Sequence, residues 1–369
     1  MKPAPPVMRN FLAMKNQAAD AGRLRSTAFI HRLILHYTPT TSQPHARRIS
    51  RLAMGTAAVG PFRMTDDDNT PDKWSKWLLE RRHGCDLENH RRMATSVERF
   101  RDRVLDGARL APGMTLADIG TGDGLIAFGA IARIGESLNV ILTDVSPPLL
   151  RHVEELAISK GIQRQCRFIQ GSADKLDGLA DATVDAVAVR AVLAYVDNKA
   201  AAFSEFYRVL KPGGRLSIAE PLFQDEAIET CGIAKFIEAQ PNHPQAKFLK
   251  LAFRCRAAQY PSTERAVMLS PMTNYNERDL FRFAGEAGFV NVHLELHVDL
   301  RPNLAVTWET YLDTATHPLA PTLREILDEQ FSMDEKIEFE RTLRPVVEKG
   351  QARQKEVVAY LTAEKAPQT

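Results

Sequence analysis

The chain has 369 residues, 44% of them hydrophobic and 25% charged, with a formal net charge of +2. That is enough apolar material for one large core or two modest ones. No apolar run approaches the roughly 20 residues that a membrane-spanning helix needs. The charge is unevenly divided: residues 1–63 hold ten Lys and Arg against one acid, Asp20, whereas residues 64–369 hold 38 basic and 45 acidic side chains. An acidic body argues against nonspecific nucleic-acid binding. Cys85, Cys166, Cys231 and Cys255 are far apart, giving neither a Cys-x-x-Cys metal pair nor a disulfide framework. No metal site is expected, and a reducing, cytoplasmic setting is the default.

The leader is rich in Arg, Ser, Thr and Ala and nearly free of acids, the composition of a mitochondrial or plastid transit peptide. Met64 opens a more protein-like stretch, so a start at Met64 is the competing and slightly favoured reading. Either way residues 1–63 are expected to be disordered or locally helical and outside the catalytic fold. From Asp72 the pattern turns amphipathic: Trp74, Trp77 and Leu78 share a helical face, followed by Arg81-Arg82. A second helix is expected over 89–107.

The most informative stretch comes next. Residues 115–119 form a short apolar strand ending in Asp118-Ile119, followed by Gly120-Thr-Gly-Asp-Gly124 and an apolar helix over 125–134. Glycines at every second position let the backbone turn tightly and meet a ligand closely. A dinucleotide fingerprint counted from Gly120 needs glycine where Leu125 stands, and a P-loop needs a Gly-Lys-Ser/Thr that is absent. With Asp118 and Asp123 beside it, the loop suits a cationic or hydroxyl-bearing ligand better than a pyrophosphate. A second strand, 139–144, ends in Asp144, twenty residues past Gly124, where doubly wound folds place an acid for ribose hydroxyls. A third strand, 166–170, precedes Gly171-Ser-Ala173-Asp174. A fourth, 183–189, leads to Arg190 and Tyr195. A helix over 199–210 stops at Lys211-Pro-Gly-Gly214 before a fifth strand, 215–219, and Glu220. Beyond Pro221 the pattern is helical over 225–260 and 276–288. It alternates as a sixth strand over 289–298, is helical again over 303–354, and closes on a seventh strand, 355–362.

Strand and helix alternation with polar groups at one sheet edge resembles the class I S-adenosylmethionine-dependent methyltransferases. The likeness spans about 100–221 and rests on the glycine loop, Asp144, Ala173-Asp174 and the Lys-Pro-Gly-Gly turn. It implies an α/β fold with a doubly wound seven-stranded sheet, mostly parallel with an antiparallel last strand, plus helical insertions. It also implies S-adenosylmethionine as cofactor. The cofactor shell carried over is Asp118, Gly120, Thr121, Gly122, Gly124, Asp144, Val145, Ala173, Asp174 and Arg190. The expected organisation is a leader (1–63), a helical lid (64–110), a cofactor core (111–222), and pocket helices with the closing strands (223–369). In such a lid Trp74 and Trp77 serve as a hydrophobic cover and Arg81 or His83 as a polar contact, or else the tryptophans pack on the sheet.

Because a sulfonium methyl is already activated, the enzyme mainly needs to hold a nucleophile in line, roughly 3–3.5 Å away. A base is needed only for an acceptor that is protonated at working pH. Tyr195, His243 and Tyr260 are the catalytic candidates, with Glu220 and His83 as further possible bases; no spacing singles one out. The amino-group base-methylation motif is absent after strand four, where Val189-Arg-Ala-Val stands. A small-molecule acceptor enclosed by the lid and the 223–275 segment is the favoured expectation. The alternatives are an arsenite-type metalloid acceptor using Cys85 and Cys231, or a non-catalytic cofactor-binding module. Oligomeric state is not readable from the sequence.

Overall fold

Seven strands form one sheet: β1 (Thr115–Ile119), β2 (Asn139–Asp144), β3 (Cys166–Gln170), β4 (Val184–Arg190), β5 (Leu210–Pro221), β6 (Val290–Pro302) and β7 (Arg353–Glu364). The structure is a computed structural model that describes residues 70–368; the leader lies outside them. The strand order is β3-β2-β1-β4-β5-β7-β6. Strands β1 to β5 are parallel, and β7 runs antiparallel between β5 and β6. This is the Rossmann-like methyltransferase topology implied by the resemblance. Because β1 pairs with both β2 and β4, chain order reverses at β1, and the crevice beyond its carboxyl end is where such sheets take ligands.

Both sheet faces are covered, which is why the central strands are apolar throughout. Leu116, Val140 and Leu142 point to one face. There they meet helices α2 (Leu87–Ala108), α3 (Leu125–Ile134) and α4 (Pro147–Ser159) through Val104, Ile126, Ala130 and Val153. Ala117, Ile119 and Ile141 point to the other face, toward Phe203 and Phe206 of α5 (Lys199–Val209) and Leu280 of a later helix, Glu277–Glu286. A third cluster lies off the sheet. Phe248, Leu251 and Cys255 of the helix Ala246–Gln259 pack against Trp308, Ile326, Phe331 and Phe339, which come from the helices inserted between β6 and β7. Among the described residues no helix is long and apolar enough to cross a membrane.

Three elements differ from expectation. The Lys211–Gly214 turn lies inside β5, because Gly213 N donates to Lys365 O at 2.9 Å and Lys365 N donates to Gly214 O at 2.9 Å, extending the ladder past the glycines. Strand β6 continues to Pro302, beyond the alternating stretch, because β7 begins at Arg353 and pairs with it along its whole length. The helix predicted over 225–260 is two helices, Gln224–Ala239 and Ala246–Gln259, broken at residues 240–245. The leading helix α1 (Lys73–Leu79) is set by Asp72, whose carboxylate accepts from Trp74 N and Ser75 N in a capping box.

Candidate functional site

At the carboxyl edge, Gly120, Gly122 and Gly124 all take left-handed φ values, +68°, +58° and +78°. A Cβ on Gly120 would stand 2.3 Å from Val192 Cγ2, so the turn after β4 can close onto the loop only over glycine. A Cβ on Gly122 would stand 3.0 Å from Leu78 Cδ2, so α1 lies directly over the loop. Thr121 N donates to Thr143 O at 2.8 Å, tying the loop to β2.

The two acids at this edge have different surroundings. Asp118 is 1% exposed, and its Oδ2 accepts from Thr121 Oγ1 at 2.8 Å and from Ala127 N at 3.1 Å. Burial pushes it up to about 7 against those two donors. The Asp118 side chain, expected in the cofactor shell, holds the loop and the first turn of α3. Asp144 accepts from Gly122 N at 3.0 Å on one oxygen and Ser146 N at 3.0 Å on the other. A carboxylate has about four acceptor positions, so two remain for a vicinal diol. Burial, opposed by those amides, raises its pKa, and the field of Asp72 at the start of α1 adds to the rise. Val145 is exposed beside it, and Ser172 donates its hydroxyl to Asp174, past buried Ala173. A cavity of about 220 Å³ beneath this loop is lined by Thr143, Gln170, Gly171, Ser172 and Leu176, and Thr143 Oγ1 is buried there without a partner.

On the other side of the loop stands an aromatic wall. Trp74 meets Tyr195 edge-on at 5.1 Å, Tyr195 lies 6.3 Å from Phe223, and Phe223 lies 6.3 Å from Tyr260 and 5.6 Å from His317. The wall is braced from the insertion: Trp77 Nε1 donates to Ala315 O at 2.9 Å, and Ala315 N donates to Arg81 O at 2.9 Å. His317 Nε2 donates to Gln259 O at 2.8 Å while Nδ1 accepts from Leu319 N, and burial pushes its pKa down to about 4. It is a neutral, fully occupied imidazole.

The turn that carries Tyr195 is held by Glu220, whose Oε1 accepts from Val192 N at 2.8 Å. Glu220 is fully buried, its Oε2 has no partner, and burial pushes it up to about 7. Ala191 just before takes φ +56°, the strained conformation that presses Val192 toward Gly120. Two guanidinium groups face this region. Arg190 sits 5.2 Å over Phe100, and burial lowers it to about 10, with Arg82 adding to the fall and Asp123 and Glu220 opposing it. Arg82 sits 5.5 Å over Trp77, and burial lowers it against the fields of Asp123 and Tyr195.

The other polar candidates lie elsewhere. Arg81 pairs with Glu325, and His83 is buried with its Nε2 donating to Leu79 O at 2.8 Å, so the polar contact from the leading segment is Arg82. His243 sits in the break between two helices, its Nδ1 accepting from Gln245 N at 3.1 Å and its ring against Phe236. Tyr260 is in the wall, with burial raising its pKa, so it is a protonated phenol. Cys85 is exposed, Cys231 packs with Ala227 and Val267, and Cys255 packs in the third cluster, so Cys85 and Cys231 do not form a thiolate site. Among the described residues no group of three His, Cys, Asp or Glu is placed to hold a metal. Sequence reasoning missed Arg82, Phe223 and His317; only the aromatic content of the segments carried a signal.

Residues 117–218 match the family model described as a methyltransferase domain. Those residues form a class I S-adenosylmethionine-dependent methyltransferase domain. Among similar proteins is the ubiquinone/menaquinone biosynthesis C-methyltransferase UbiE of Brucella anthropi, 37% identical over 109 residues. That alignment covers 30% of this chain and 41% of the relative, less than half of the relative's length. The UbiE protein of Klebsiella pneumoniae is 29% identical over 203 residues, 54% of this chain and 76% of that one. The solved structure of YcgJ from Bacillus subtilis superposes with TM-score 0.44 at 16% identity, covering 76% of this chain and all of that one. S-adenosylmethionine is the cofactor of such domains, and the residues present fit it: a glycine loop, a carboxylate with two free acceptor positions, and Arg190, which makes no ion pair among the described residues.

Proposed function

We propose that this chain transfers a methyl group to a small, flat, largely apolar acceptor bound against the Trp74–Tyr195–Phe223–Tyr260 wall. The observation that carries this is the wall itself, contiguous with the glycine loop and made from four separate parts of the chain. When bound, S-adenosylmethionine supplies an activated methyl group, so the protein's contribution is positioning and exclusion of water. Asp144 would hold the ribose hydroxyls, Val145, Ala173 and Asp174 the adenine, and Gly120, Thr121, Gly122 and Gly124 the backbone contacts. Arg190 would hold the methionine carboxylate. Leu78 and Trp74 close the site from above, and Glu220 positions the Tyr195 turn. Residues 70–110 thus act as a lid, 111–222 as the cofactor core, and the later segments as the acceptor wall. The curated relatives are named as C-methyltransferases of quinone biosynthesis, and a ring acceptor suits a wall of aromatic faces.

The test has two stages. Calorimetry with S-adenosylhomocysteine should show a single site. Incubation of the protein with methyl-labelled S-adenosylmethionine and a small-molecule extract should then place label in an aromatic or other flat metabolite. Label found only in nucleic acid or protein fractions would overturn the acceptor reading.

A further inference from the structure

Arg82 and Arg190 make no ion pair or hydrogen bond with any other described residue, yet both are half-buried against aromatic rings at the methyl-transfer edge. Their neighbours in sequence and space are not left so: Arg81 pairs with Glu325 and Arg99 with Glu356. Asp123 is a carboxylate whose field reaches both guanidinium groups, but it lies beyond ion-pair distance of either. A partly desolvated cation without a partner is unfavourable, and a bound anion offsets that cost. The cofactor brings one carboxylate, enough for one guanidinium, but it also brings a sulfonium and an ammonium. That leaves one of the two guanidinium groups without an anionic partner. Arg82 belongs to the segment that also supplies Trp74; its guanidinium lies 5.5 Å from the Trp77 ring centroid and feels the field of Tyr195 in the wall, and its planar fork of donors has no partner among the described residues.

We infer that the acceptor is an organic anion, a flat apolar molecule bearing a carboxylate, and that Arg82 is the group that recognises that carboxylate. This rests on the methyl-transfer reading above and narrows its substrate class. A carboxylate matches the guanidinium fork with two parallel hydrogen bonds, and a singly charged planar group suits a wall that is otherwise aromatic.

The probes are 2-naphthoate and its neutral isostere 2-naphthamide, titrated by calorimetry into the full chain saturated with S-adenosylhomocysteine. The acid should bind at least tenfold more tightly than the amide. Arg82→Gln should abolish that preference while S-adenosylhomocysteine affinity stays within twofold, and Arg82→Lys should keep part of it by charge alone. Equal binding of acid and amide, binding of neither, or a preference that survives Arg82→Gln would overturn the inference and leave the methyl-transfer reading standing. Failure of the wild type to bind S-adenosylhomocysteine at all would overturn both.

Discussion

The indole of Trp74 meets the phenol ring of Tyr195 edge-on, with centroids 5.1 Å apart. One ring comes from α1, ahead of the fold, and the other from the turn that follows β4. Edge-on pairs of this kind contribute about 0.5–1.5 kcal/mol beyond the area they bury. The contact therefore ties α1 to the turn that follows β4. Leu78 on the same helix covers Gly122, so α1 packs against both the glycine loop and the aromatic wall.

Trp74→Ala should loosen that lid without unfolding the domain. Stopped-flow fluorescence should show S-adenosylhomocysteine leaving at least fivefold faster, with a shift in melting temperature of no more than a few degrees. An unchanged release rate would mean that α1 packs on the fold without gating the site.

Gly120 and Gly213 separate steric need from mere conformational freedom. Both take positive φ, +68° and +77°, but a Cβ on Gly120 meets Val192 at 2.3 Å whereas one on Gly213 has nothing within 4 Å. Gly213→Ala should cost about 1 kcal/mol, the penalty of the left-handed backbone alone. Gly120→Ala should cost more, because the Ala191–Val192 turn must shift, and should lower cofactor affinity at least tenfold. Urea unfolding and calorimetry on both variants test this; equal effects would contradict the close approach.

The two loop acids should divide between stability and binding. Asp118→Ala leaves Thr121 and Ala127 N without their acceptor in a buried site, a loss of roughly 1–3 kcal/mol. Asp144→Asn should instead lower S-adenosylhomocysteine affinity at least tenfold with a smaller stability change, since a carboxylate accepts two hydroxyls better than an amide does. The reverse pattern would exchange their roles.

Much of this site was legible because its determinants are local. The glycine loop, Asp144 and the Ala173–Asp174 pair each follow a strand whose apolar run is read directly from the sequence, and topology does the rest. Arg82 was not legible: Arg81, Arg82 and His83 share one short 3-10 turn, and which of them faces the site depends on Glu325 capturing Arg81 from the distant insertion. His317 joins Phe223 and Tyr260 from an irregular stretch with no period to read. Asp118 sits in the expected motif, but its burial depends on Thr121 and Ala127 folding over it, which the motif alone does not state.

The pH dependence of stability isolates Glu220. Its pKa is raised from 4.5 to about 7 by burial, so the folded state keeps a proton that the unfolded state has lost. Its contribution is fully present below the unfolded value and declines as pH rises through 7. His317 works the other way: lowered from 6.5 to about 4, it contributes above 6.5 and is lost as pH falls toward 4. Between about 4.5 and 6.5 these two oppose each other, while Asp118, raised by burial to about 7, adds a decline of its own as pH rises, so the wild-type profile does not isolate Glu220. Glu220→Gln keeps an oxygen for Val192 N but cannot ionise. Subtracting the two profiles removes His317 and every other shared group, including Asp118. From pH 4.5 to 8 the variant should gain on the wild type by on the order of 2–3 kcal/mol, since one pKa unit corresponds to about 1.4 kcal/mol. Urea unfolding at half-unit pH steps measures the difference. A constant offset across that range would show that Glu220 ionises in the folded protein at its ordinary value, with its second oxygen reached by solvent.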